Sequence, residues 1–337
     1  MRVVLIMAGD EEGGLENHVT DLAKALSMTD EVHVIAHEKY RERMGAKVVF
    51  HALDLSGGRR NPLLLYRLRD RINKIDPDIL HAHANKAVEM ISRIRRWIDP
   101  DIRCVATLHS QKKSLNAYER FDHVIGVSHR VLASLKDVET SVVYNGLTLP
   151  AVDHNPEYLK QFGIGEGFVL CAVGRMERVK NFEMLIHAVA PLDLTLLFVG
   201  EGSQKEELKA ISQRVGGDSK VRFAGYREDV ASLLYHSDLC VISSDREGFS
   251  YVMAEALLLQ RPVVSTDVGD MRRILPSECV VPTGDMPALR SVIERCMKNY
   301  ESCKGSFASS FDLASQRFTV EAMVRGVKEV YEKVAAR

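Results

Sequence analysis

Two glutamates eight residues apart, Glu247 and Glu255, stand in the segment Ser-Asp-Arg-Glu-Gly-Phe-Ser-Tyr-Val-Met-Ala-Glu-Ala at 244–256. The first lies in a loop and the second in the helix which that loop opens. The apolar run 239–242 precedes them as a strand, and 261–266 reads as a helix stop followed by another buried strand. Both carboxylates therefore fall at the carboxyl end of a strand, where open α/β sheets bind ligands. Gly248 lets backbone approach a ligand closely, and Ser250 is an N-cap whose helix offers free N–H groups to an anion. The competing structural role is that Glu247 caps a helix and Glu255 sits on its solvated face.

A second group follows the apolar run 168–173. Gly174 permits close backbone approach, and Arg175 and Lys180 converge on one anion unless the run is a solvated charged surface. Gly200 and Gly202 follow the strand 195–199 and suit a nucleotide lying against backbone. Near the start, the apolar strand 2–7 runs into a glycine-rich turn at 9–14, then a helix with Leu15, Val19, Leu22, Ala23 and Leu26 on one face. Strand, glycine turn and helix make a phosphate-approach geometry. The turn lacks G-x-G-x-x-G, and its three acids repel a pyrophosphate, so a dinucleotide fingerprint is not expected. Nine of the twelve histidines precede residue 150. His81 and His83 share one side of a strand, as a buried hydrogen-bonded pair or as site residues, and His109 ends another strand.

The elements that must position these residues alternate strand and helix. In the first half, strands are expected at 2–7, 32–36, 47–51, 79–82, 103–108, 123–127 and 141–144. Helical patterns at 62–74, 86–97 and 130–136 fall between them. In the second half, strands are expected at 168–173, 195–199, 221–224, 239–242, 262–266 and 279–281. Continuous apolar runs with crossover helices give two doubly wound parallel sheets, an α/β fold of two Rossmann-like domains. The 337-residue length suits two domains. The expected boundaries are 1–150, 151–316 and a final amphipathic helix in 317–337.

Four separated patches resemble the family 4 retaining glycosyltransferases, especially bacterial lipopolysaccharide and cell-envelope sugar transferases. They are Gly-Gly-Leu-Glu-Asn-His-Val at 13–19, 174–181, 225–229, and Glu247-(x)7-Glu255. The resemblance implies the GT-B architecture, two such domains facing across a cleft, with the last helix crossing back to the first domain. It implies transfer of a sugar from a nucleotide-diphosphate sugar, UDP-sugar favoured, to an acceptor hydroxyl. The catalytic residues it implies are Glu247 on the donor sugar, Arg175 and Lys180 on the departing diphosphate, and His109 at the anomeric centre. It places Glu255 on the ribose, the base against backbone near Arg227, and Gly13, Gly14, Gly174, Gly202, Gly248, Phe249 and Ser250 around the donor. Asn145-Gly146-Leu147-Thr148 is similar to the family's interdomain Asn-Gly-x-Asp, with Thr148 in place of the acid. The alternatives are a sugar-nucleotide epimerase of the same fold and a non-catalytic sugar-nucleotide-binding subunit.

Charge and composition narrow the rest. A net charge of −1 gives no pull toward nucleic acid. Residues 59–113, however, hold thirteen Lys/Arg against six Asp/Glu. Arg59, Arg60, Arg67, Arg71, Arg95 and Arg96 lie on or beside amphipathic helices that fit an anionic membrane surface, a solvated face, or a basic mouth for an acidic acceptor. With no signal segment or spanning run, a cytoplasmic protein, peripheral on the inner face of the membrane, is expected. The acceptor expected is a glycan or glycolipid. The six cysteines form no C-x-x-C pair, and Cys104, Cys171, Cys240 and Cys279, embedded in apolar strand-like runs, read as buried thiols. The two Asp-Pro-Asp triplets at 76–78 and 99–101 read as turns, and no cluster has metal-ligand spacing, so no metal and no further cofactor are expected.

Overall fold

The computed structural model describes residues 1–9, 13–217 and 220–337. The acidic stretch 10–12 of the first turn lies outside these residues. The chain forms two compact units, Met1–Leu147 with Arg317–Arg337, and Thr148–Gln316.

The first unit holds β1 (Arg2–Met7), β2 (Glu31–Ala36), β3 (Val49–Ala52), β4 (Ile79–His83), β5 (Arg103–Leu108), β6 (His123–Gly126) and β7 (Thr140–Val142). They form one sheet in the order β3-β2-β1-β4-β5-β6-β7, with every adjoining pair parallel. Val3 through Met7 are completely buried, because crossover helices cover both faces of a central parallel strand. The strand order reverses between β1 and β4, whose register pairs Met7 with His83. That switch point opens a crevice beyond the carboxyl ends of the strands.

Local chemistry sets the helix limits. Helix Pro62–Ile75 starts with Asn61, whose side-chain oxygen accepts from the N–H groups of Leu63 and Leu64. It stops at Asp76 in the left-handed conformation, φ 51°. Asp78 then accepts the Arg2 N–H at 2.7 Å, and Asp99 accepts the Asp101 N–H at 2.9 Å, so both Asp-Pro-Asp triplets are turns. The helix expected at 130–136 shrinks to the single turn His129–Leu132. Only Val131 of its four residues is buried and no side chain caps its start, so nothing propagates it.

The second unit holds β8 (Val169–Val173), β9 (Thr195–Val199), β10 (Val221–Phe223), β11 (Leu239–Ile242), β12 (Val263–Thr266) and β13 (Val280–Val281). Their order is β10-β9-β8-β11-β12-β13, again parallel throughout, with the switch point between β8 and β11.

The last helix, Val320–Ala335, belongs to the first unit. Met323, Val327, Val330, Tyr331 and Val334 form its buried stripe and share a core with Val19, Leu22 and Leu26. Burial of each such side chain contributes roughly 1.5–3 kcal/mol. The Tyr331 hydroxyl meets His81 Nδ1 at 2.7 Å. Gly146 makes the return possible, since a Cβ there would lie 2.3 Å from the Thr319 carbonyl oxygen. Beside it, the Leu147 N–H donates to the Phe318 carbonyl at 3.0 Å.

Candidate active site

In the second unit, the loops after β8 and β11 leave the sheet at its switch point and are bonded to each other. Gly174 sits at φ 151°, a conformation side chains rarely adopt, and a Cβ on it would lie 3.1 Å from Lys180 Cε. Lys180 ends the short turn Arg178–Lys180, and its Nζ donates to Glu247 Oε1 at 2.7 Å. The Ser244 hydroxyl donates to the same oxygen at 2.8 Å. Ser243 Oγ donates to the Lys180 carbonyl at 2.7 Å, the Asp245 N–H to the Val179 carbonyl at 2.8 Å, and Asn181 Nδ2 to Asp245 at 3.0 Å. Lys180 and Glu247 are thus held as a half-buried ion pair by a mesh of short bonds. Arg175, in the same loop after β8, is exposed, and its side chain makes no hydrogen bond or ion pair among the described residues.

Ser250 caps helix Tyr251–Leu258, its Oγ accepting the Met253 N–H at 3.2 Å, so the expected N-cap is present. One turn further, Glu255 has no side-chain hydrogen bond or ion pair among the described residues. Burial raises its pKa from 4.5 to about 7, since nothing compensates the lost hydration. Phe249 packs edge-on to Tyr251, ring centroids 5.7 Å apart, and Gly248 is buried.

The neighbouring loops are drawn in by glycine. A Cβ at Gly200 would lie 2.1 Å from the Gly174 carbonyl oxygen, and one at Gly202 2.5 Å from that of Met176. These glycines therefore serve backbone-to-backbone packing between the loops after β8 and β9. Arg227 makes a bidentate pair with Asp229, which also accepts from the Tyr158 hydroxyl. The Arg227 hydrogen bonds hold the Asp229 carboxyl down at about 2. The Arg227 side chain is therefore engaged within the protein.

In the first unit, the carboxyl ends of β4 and β5 and the helix Gly14–Leu26 assemble three imidazoles. His18 and His109 rings lie 4.8 Å apart, His18 and His83 5.3 Å, His83 and His109 5.8 Å. Both ring nitrogens of His83 and Nε2 of His109 are buried without a hydrogen-bond partner. Burial holds His83 and His109 well below the ordinary imidazole value and His18 at about 4, with Asn145 partly opposing the last shift. His81 is different, bridging Tyr331 and Thr107 at 2.7 Å each, so it is a hydrogen-bonded core residue. Ala84, directly after His83, takes φ 62°, an uncommon left-handed residue at the edge of this cluster. Gly13 caps helix Gly14–Leu26 from an extended conformation, φ 170°, that any residue adopts.

His18 escaped selection from the sequence although it stands in the Gly-Gly-Leu-Glu-Asn-His-Val segment; its helical spacing from Val19 and Leu22 hid which way it faces. Ser244 and Asn181 were likewise missed, their signal being only adjacency to Glu247 and Lys180. No cluster has metal-ligand spacing along the chain, yet potential donors meet in space. Two groups have donor atoms within 4.8 Å of one another, His18–His83–His109 and Cys279–Cys296–Cys303, each drawn from three separate elements. Cys279 is a free, buried thiol as read from its strand-like run, and it has two further cysteines beside it.

Residues 12–149 match the family described as Glycosyltransferase Family 4, and residues 167–299 match Glycosyl transferases group 1. N-acetyl-alpha-D-glucosaminyl L-malate synthase of Bacillus anthracis is 25% identical over 76% of this chain and 75% of its own. The lipopolysaccharide core biosynthesis mannosyltransferase LpsB of Rhizobium meliloti is 25% identical, over 75% of this chain and 79% of its own. Among solved structures, Anabaena HepE in complex with UDP superposes with a TM-score of 0.85 at 21% identity, covering 99% of this chain and 100% of that one. These likenesses and the two parallel sheets agree on the GT-B fold.

Proposed function

Because the chain belongs to the family 4 glycosyltransferases, we propose that it moves a sugar, with retention of configuration and without a metal, from a UDP-sugar to a hydroxyl of an envelope glycan or glycolipid. The observation that carries this reading is the Lys180–Glu247 pair at 2.7 Å, with an exposed Arg175 in the same loop as Lys180 and an unpartnered Glu255 in the helix after Glu247. Breaking the bond between the sugar and the diphosphate builds negative charge on the leaving group. Arg175 and Lys180 neutralise it, supplying the positive charge that a metal supplies elsewhere. Glu247, fixed by Ser244 and Lys180, accepts hydrogen bonds from sugar hydroxyls, and Glu255 accepts those of the ribose. In the first unit, His109 with His18 and His83 presents neutral imidazoles to which an acceptor hydroxyl can hydrogen-bond. LpsB acts in lipopolysaccharide core synthesis and supports an envelope acceptor. The test is transfer from a panel of nucleotide sugars, with the product anomer read by NMR and the rate compared with and without a chelator. Donor turnover that needs no acceptor, as an epimerase would give, overturns the reading.

Glu255 supplies a separate prediction. Its carboxylate form accepts ribose hydroxyls, and with a pKa of about 7 it becomes protonated as pH falls below that value. UDP affinity should weaken by up to about tenfold per pH unit below 7. In Glu255→Gln, affinity should be lower and flat with pH. Calorimetric titration at pH 8 and pH 6 checks this, and an unchanged slope in the variant removes Glu255 from the site.

Membrane contact belongs to the same proposal, on the inner face of the cytoplasmic membrane. No helix among the described residues is long and apolar enough to cross a membrane. Leu63, Tyr66 and Trp97 are at least half exposed, and Arg60, Arg67, Arg71 and Arg96 are exposed near them. Asn73 donates to the Trp97 carbonyl at 3.2 Å, which ties the two basic segments together. Arg59 and Arg95 are taken up by Glu89 and Asp122 and contribute less. The double substitution Arg60→Glu/Arg67→Glu should release the protein from phosphatidylglycerol vesicles in a sedimentation assay, each charge contributing about 1 kcal/mol. Equal binding to neutral and anionic vesicles runs against it.

A further inference from the structure

The second unit gathers half of the chain's six cysteines at one point; Cys279 precedes its strand, whereas Lys180 and Glu247 follow theirs. Cys279 leads into the edge strand β13, Cys296 lies near the end of helix Met286–Lys298, and Cys303 lies in helix Tyr300–Ser306. Their sulfurs all lie within 4.8 Å of one another, and the Cys303 and Cys296 sulfurs approach to 2.8 Å. Cys279 and Cys296 are 1% exposed, whereas Cys303 is half-buried and opens the group to solvent. A disulfide would use two sulfurs and strand the third; a single thiophilic cation uses all three.

We propose that Cys279, Cys296 and Cys303 form a three-thiolate zinc site, with a water molecule from the open Cys303 side in the fourth position. Zinc–thiolate bonds of about 2.3 Å place tetrahedral sulfurs roughly 3.8 Å apart. The sulfurs already lie within 4.8 Å of one another, so binding needs only small movements, with the Cys303 and Cys296 sulfurs parting by about 1 Å. Zinc with three thiolates carries one net negative charge. Arg295 borders it, adjoining Cys296 and donating to the carbonyl of Glu278, next to Cys279. Each thiol releases its proton to solvent as it binds, and no oxidant or reductant takes part. Such a site would fasten the edge of the second sheet to the two helices that follow it. Its role is structural and separate from sugar transfer.

Cobalt(II) is the probe. The full chain, reduced with a phosphine and freed of metal, should take up one cobalt with intense thiolate-to-metal absorption in the near ultraviolet and tetrahedral bands in the visible. Zinc should displace it and raise the thermal midpoint. Cys303→Ser, at a half-exposed position, should weaken zinc by more than about 100-fold, beyond the 10–100-fold expected from an outer-shell loss, while sugar transfer persists. In the unsubstituted chain, zinc should slow alkylation of Cys303 by at least about tenfold, a reading independent of how any variant folds. A cobalt spectrum without the charge-transfer band overturns the site. So does a band that survives in Cys303→Ser, or alkylation that zinc leaves unchanged.

Discussion

Glu247→Ala should lower sugar transfer by about 10³-fold, close to 4 kcal/mol in the barrier, while leaving UDP bound. The carboxylate accepts from Lys180 at 2.7 Å and Ser244 at 2.8 Å, so it is rigidly placed before any donor arrives. Its removal takes away the acceptor for sugar hydroxyls but leaves Lys180 free to meet the diphosphate. UDP affinity should therefore hold or rise slightly, and the two effects should separate cleanly in kcat and in equilibrium binding. Glu247→Gln retains the shape and loses the charge that orients Lys180, and should fall between alanine and the unsubstituted chain. The measurement is single-turnover transfer set beside calorimetric UDP binding. Full transfer by the alanine variant would sink the assignment of this carboxylate.

Mild acid should unfold the first unit well before the second. His18, His81 and His83 are almost wholly buried, and burial depresses all three, His18 to about 4. The unfolded chain restores a value near 6.5, so it binds more protons than the folded unit below that pH. Their stabilising contribution is complete above pH 6.5 and is lost as pH falls from there toward the folded values. Each protonation costs about 1.4 kcal/mol per pH unit, so three together reach on the order of 4 kcal/mol per unit. A domain stability of about 5–15 kcal/mol does not survive that slope much below pH 5. The chain's single tryptophan, Trp97, lies in the first unit, so its fluorescence reports that unit's urea midpoint directly. Equal midpoints at pH 7.5 and pH 5.5 would show that these rings are not held neutral by the fold.

The sheets were legible because their strands are continuous apolar runs, a pattern that follows from burial on both faces. All thirteen strands appear within a few residues of expectation, and both Asp-Pro-Asp triplets are turns. What escaped notice depends on side chains meeting across separate elements. His18, His83 and His109 come from a helix and two strands, and Cys279, Cys296 and Cys303 from a strand entry and two helices. No spacing rule sees such groups. The Arg227–Asp229 pair was hidden differently: two residues apart, it reads as any charged turn until Tyr158 is seen closing on it. Glu255 showed its place in the sequence but not its isolation, which needs the absence of a partner in three dimensions.

The return of the last helix carries a consequence for synthesis. The first unit is written in two pieces, Met1–Leu147 and Arg317–Arg337, with the whole second unit between them. On the ribosome, the seven-stranded sheet emerges first, yet Val19, Leu22 and Leu26 stay without the helix that covers them until residue 335 is out. The second unit can meanwhile fold as a closed insert. The earlier-made unit is thus the later one to mature, with an apolar groove open to chaperones through most of translation.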